Sequence, residues 1–130
     1  MKQTLVNLAG AAVLLVAAFL PPVVAAAGEN ANVHFGEHIV ILLAGLLLAY
    51  AGQTLIRRQL AQDPRRATRG IGIIGLGIVL FLASQVPALD ALADSTMAMH
   101  VLQHLMILAA GGFVGMGLVV FGAVPAPSPR

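Results

Sequence analysis

The 130-residue chain contains no cysteine, which excludes disulfides, thiolate metal sites, iron–sulfur clusters and covalently attached c-type haem. Any bound metal has to be held by histidine, methionine, carboxylate or backbone. Charge is scarce as well, at 9% of residues. No G-x-S-x-G, P-loop or H-E-x-x-H motif occurs, and the loops are too short to build a soluble cleft, so the sequence reads as a non-enzyme. What fills the chain instead is apolar: 59% hydrophobic residues at a mean hydropathy of +0.95. That is more apolar surface than one small soluble core can bury. The expected fold class is therefore all-α, an integral membrane helical bundle with three transmembrane helices plus an N-terminal span or signal peptide.

Residues 1–27 carry a positive start at Lys2, an apolar run from Thr4 to Leu20 and a Pro21-Pro22 break. Small residues at Ala25 and Ala27 suit cleavage before Gly28, as in a secretory signal peptide. The same run is long enough for a short first membrane helix, and both readings stay open. A transmembrane bundle is expected over 28–123. Its first helix is expected from Glu37 to Ile56, ending in a loop that Asp63-Pro64 breaks. Five of the seven basic residues fall between Arg57 and Arg69. They place that loop in the cytoplasm by the positive-inside rule and report topology, not a nucleic-acid footprint. A second helix from Gly70 to Gln85 returns outward, with Gly70, Gly72, Gly75 and Gly77 available for close helix approach. Asp90 and Asp94 sit in an outer loop as solvating charges, with metal capture at the entrance as their second reading, and Asp94, Ser95 and Thr96 are N-cap candidates for a last helix from Met97 to Gly122. The proline-rich segment 124–130 reads as an extended tail.

Chemistry concentrates in the four histidines. His100 and His104 are four positions apart, which stacks two imidazoles on one helix face at about 5–6 Å between Cβ atoms. They open an apolar run that has no ionisable group after His104, where an unpartnered polar ring is costly. His34 and His38 repeat the spacing at the mouth of the earlier run, His34 joining that helix only if it extends back past Gly36. By topology both pairs lie near the non-cytoplasmic surface. At about 100° per residue, His100, His104, Gly111 and Gly115 share one arc, and His38, Ile41, Gly45 and Gly52 share another. Facing each other, these seams bring four imidazoles to one depth and either pack the helices tightly or admit a flat ligand. Met97 shares the histidine face and is a possible thioether ligand favouring Cu(I). Met99, Met106 and Gln103 point to the opposite side, toward lipid or another helix. Glu37 is a metal ligand, a partner that orients an imidazole, or a solvated cap.

The stretch Met99-His-Val-Leu-Gln-His-Leu-Met106, running on to Phe121-Gly-Ala-Val-Pro125, resembles the H-x-x-Q-H-x-x-x helix of the CtaG-type cytochrome c oxidase assembly factors, which ends in a Gly-x-Pro-like turn. The resemblance implies a multi-span prokaryotic plasma-membrane protein that matures a respiratory oxidase by delivering copper. It implies metal binding at His100 and His104, with Gln103 as a family-typical neighbour. The chain departs from the family in having fewer spans, and in Gly111-Gly112 where the family often has a mid-helix proline.

Copper handling is thus the leading expectation, with the lipid bilayer and a respiratory oxidase as partners and self-association through the glycine seams as a further one; nucleic acid is not expected. A b-type haem held by His38 and His104 on opposite faces is the alternative from another class. A non-catalytic accessory subunit is the third.

Overall fold

The computed structural model describes residues 2–60, 65–93 and 95–122, and the regular elements among them are all helices. In order they are α1 (Lys2–Ala18), α2 (Pro21–Glu29), α3 (Ala31–Ala51), α4 (Gln53–Leu60), α5 (Arg66–Ser84), α6 (Pro87–Ala93) and α7 (Met97–Phe121). α3, α5 and α7 are each long and apolar enough to cross a membrane, and α1 with α2 form a further apolar stretch bent by 56°. The expected break at Asp63-Pro64, the cap candidate Asp94 and the tail 124–130 lie outside the described residues.

Local chemistry explains the boundaries. Leu20 is extended ahead of Pro21, because a residue before proline is pushed out of the helical region, while proline suits the first turn that follows. The Asn30 side chain caps α3 by accepting from the backbone N–H groups of Asn32 at 2.9 Å and Val33 at 3.4 Å. That satisfies donors a helix start would leave unpaired. The helix therefore begins at Ala31, not Glu37, Gly36 does not delay it, and His34 and His38 lie on one continuous helix. At the other end Gly52 closes α3, so the expected continuation to Ile56 is instead the separate helix α4. Of the cap candidates before α7, Thr96 fills the role, its Oγ1 accepting from Met99 N–H at 3.3 Å.

α7 is the central helix, flanked by α3 and α5, and α1 packs on α3. Glycine sets these distances. A Cβ built on Gly45 would collide with the Leu108 carbonyl oxygen, and one on Gly111 with that of Leu42. A turn further on, a Cβ on Gly115 would stand 2.8 Å from both the Ala49 Cβ and the Leu46 carbonyl oxygen. The register is constant along the interface, so α3 and α7 run parallel in backbone contact. On its other side α7 meets α5 antiparallel: Gly70 faces Gly117 and Phe121, and Gly77 faces Ala110 and Val114.

Three glycines do not make the helix contacts expected of them. Gly52 ends α3 and touches only its own chain segment, and Gly72 and Gly75 have nothing within 4 Å of a built Cβ. Only Gly70 and Gly77, seven positions apart, share the contact face of α5. Where the packed faces meet near α1, Ala18, Ile41 and Ile107 form the buried apolar core. The four histidines sit directly beyond it.

Candidate metal centre

Because α3 and α7 are parallel and in register, residues at equal depth face each other. Ring centroids are 4.4 Å apart for His34 and His38 and 4.3 Å for His100 and His104 along each helix. Across the interface they are 6.0 Å apart for His34 and His100 and 5.5 Å for His38 and His104. The four imidazoles form a closed ring of neighbours with an outer and an inner pair. The inner pair is almost sealed, His38 being 1% and His104 4% exposed. Phe19, just after α1, sets its ring edgewise to His104 at 5.4 Å.

The joint between α5 and α6 fixes His38. Ser84 donates its hydroxyl to the Phe81 carbonyl at 2.7 Å, and the Gln85 amide nitrogen donates to Ser84 Oγ at 2.9 Å. This turns Gln85 Oε1 toward His38 Nδ1, 3.2 Å away. An amide oxygen only accepts, so Nδ1 carries the proton and the Nε2 lone pair is bare. Nε2 is buried without a hydrogen-bond partner, as are both ring nitrogens of His104 and Gln103 Oε1. Each such orphaned group costs about 1–3 kcal/mol. Three of the four atoms are imidazole nitrogens of the inner pair, the donor type that suits copper, zinc, iron or nickel.

Carboxylates connect the tiers. Glu37, 4% exposed, has Oε2 3.8 Å from His34 Nδ1 and Oε1 3.9 Å from His104 Nε2. Of its three expected roles, the solvated cap is set aside by this burial. Asp90, expected as loop solvation, instead lies on α6 with Oδ1 3.6 Å from His34 Nε2 and 3.1 Å from Gln103 Nε2. Gln103 also donates to the Ser84 carbonyl at 2.9 Å. It is a buried bracket between α7 and the α5–α6 joint, and Met99 and Met106 beside it line a small pocket at that joint. Met97 shares the face of His100, with which it lines a shallow surface pocket, but it is 77% exposed at the outer end of α7.

Two imidazoles sharing one ion through nitrogens about 2.0 Å from it place their ring centroids roughly 5–6 Å apart. The cross-helix spacings fall in or near that range and the spacings along each helix fall below it. By centroid spacing, the cross-helix pairs and not the pairs along one helix are compatible with a shared ion. Among the described residues, no three His, Asp or Glu side chains converge on one ion as they stand. For a porphyrin the fit is poorer, since the α3 and α7 backbones touch at Gly45 and Gly111, below the inner pair. Gln85 is the site residue that sequence reasoning did not nominate; Pro87, two positions after it, is the signal that a turn of new helix begins there. No protein-family model, curated protein or solved structure matches the chain.

Proposed function

We propose that this chain is a multi-span protein of the prokaryotic plasma membrane that binds copper between the imidazoles of α3 and α7, near the non-cytoplasmic face, and passes it on during assembly of a respiratory haem-copper oxidase. The observation that carries the metal reading is the inner pair: His38 and His104, from different helices, sealed from solvent, with three ring nitrogens lacking partners. His38 and His104 hold the cargo, His34 and His100 stand over them, and Gln85 orients His38. Copper accepts imidazole ligands and tolerates few of them. The oxidase as recipient rests on the resemblance of the Met99–Met106 stretch to CtaG-type factors. Membrane insertion rests on the three long apolar helices. The outward placement of the histidines rests on the arginines between Arg57 and Arg69 at the opposite end of the bundle.

The test is elemental analysis of the detergent-purified chain with its absorption spectrum. Copper bound to wild type and lost from His38→Ala/His104→Ala, without haem bands, is expected. A reduced b-type spectrum would transfer the site to haem. Absence of both metal and chromophore would leave the accessory-subunit reading.

A further inference from the structure

The helix α6 is seven residues long, and only Ala93 among them is buried. Three cavities adjoin it: one of about 390 Å³ reaches Asp90, one of about 40 Å³ reaches Leu89, and one of about 210 Å³ reaches Ala93. An element with so little buried apolar contact opens at low cost unless polar contacts hold it. Gln103 of α7 supplies them. Its amide nitrogen donates to the Ser84 carbonyl at 2.9 Å, at the end of α5, and to Asp90 Oδ1 at 3.1 Å, in the middle of α6. Both partners only accept, so the amide is fixed with its nitrogen toward them and both of its hydrogens are used. Ser84 Oγ accepts in turn from the Gln85 amide, whose oxygen faces His38 Nδ1 at 3.2 Å. One buried side chain, next in sequence to His104, thus secures both α6 and the joint from which His38 is oriented.

We propose that α6 is a gate beside the histidine site and that Gln103 is the positioning residue that latches it. Latched, α6 keeps Asp90 in the wall of the largest cavity, 3.6 Å from His34 Nε2, and the joint holds Gln85 against His38. Released, α6 withdraws Asp90 from that wall and turns the joint, so His38 loses the partner that aims its Nε2. Both changes favour departure of an ion from the inner pair, one by widening the way out and the other by loosening a ligand. The cavity is the exit because it is the one that Glu37 also lines, and Glu37 Oε1 stands 3.9 Å from His104 Nε2. A carrier that hands on its cargo needs such a coupling, since a sealed pair of imidazoles exchanges slowly by itself. The gate's role in release rests on the inner pair being a metal site; the latch is a matter of hydrogen bonds and is measurable without metal.

The experiment uses the full chain in detergent, with copper supplied as Cu(II) sulfate. Loaded protein is mixed with excess chelator and the release rate is followed, while hydrogen–deuterium exchange of the copper-free protein reports the opening of α6. Gln103→Leu removes the donor and Asp90→Ala the acceptor. Both should release copper about tenfold faster, the lower end of what loss of an orienting partner does to a metal ligand. Both should also raise exchange in α6 while α3 and α7 stay protected. Asp90→Asn keeps an oxygen that accepts from Gln103 while removing the charge, and should match wild type in both measurements. Wild-type release and wild-type α6 exchange in Gln103→Leu and Asp90→Ala would overturn the proposal. So would Asp90→Asn behaving as Asp90→Ala, which would assign the effect to charge, or exchange rising equally in α3 and α7, which would make Gln103 a general packing residue. Wild type that binds no copper would overturn the metal reading, while exchange in the copper-free variants still decides the latch. Asp90→Ala, at a side chain that is 46% accessible, keeps the test decisive if Gln103→Leu fails to fold.

Discussion

His38 presents one particular nitrogen because a glutamine at the joint between α5 and α6 holds the other. Gln85 is kept in that orientation by Ser84, and Ser84 by the Phe81 carbonyl, so a chain of three hydrogen bonds ends in a bare, buried Nε2. Removing such an orienting partner typically lowers metal affinity about 10–100-fold. Gln85→Leu is therefore expected to weaken copper binding by that order with stoichiometry unchanged, as read by competition titration against a chelator. Because a protonated imidazole cannot ligate, acidification should release copper from wild type. The histidines were legible in the sequence because i,i+4 spacing is a local signal. Gln85 was not, since it meets His38 only where α5 turns into α6, at a sequence separation no periodicity reports. Helical phase put Met97 on the face of His100 but could not report its exposure, since phase gives the direction of a side chain and not whether anything stands opposite.

At the scale of elements, the position of the site depends on how closely α3 and α7 approach. A side chain at Gly111 would drive into the Leu42 carbonyl, whereas Gly75 on α5 faces open space. Gly111→Val should destabilise the protein by about 1–3 kcal/mol, the usual cost of overpacking, and reduce copper binding by separating the histidine pairs. Gly75→Ala should leave both unchanged. Thermal aggregation of the detergent-solubilised variants, with copper content measured alongside, checks this pair. α1 bears on the site as well, burying Ala11 and Ala18 and covering His104 with the adjoining Phe19. A chain cut after Ala27 would lose these contacts, so residues 1–27 are expected to remain in the membrane-extracted protein, as intact mass will show. Phase alone identified Gly45, Gly111 and Gly115 as a seam. It failed for Gly52, and residue type alone failed for Gly72 and Gly75, because identical residues on one helix serve different faces or an end, and only the neighbouring helix distinguishes them.

For the whole molecule, the exposed surface is apolar around the bundle, with Leu5, Val13, Leu55, Ile71, Val79 and Leu82 all more than 60% accessible. Such a surface suits lipid and is a liability in water. The absence of cysteine makes topology simple to measure: Ser95→Cys should react with an impermeant thiol reagent in intact cells, and Thr68→Cys only after lysis. The helical class and the number of long apolar segments were readable from composition and run length, which need no knowledge of contacts. The short helices α2, α4 and α6 were not, because each is set by a single break at proline or glycine and not by a hydrophobic period.

The central claim is that imidazoles from two helices share one ion, and X-ray absorption at the copper edge of the loaded chain tests it most directly. Multiple scattering from at least two imidazole rings, abolished in His38→Ala/His104→Ala, is the predicted result. Copper lacking imidazole scattering, or a spectrum and copper content unchanged in the double variant, would contradict it.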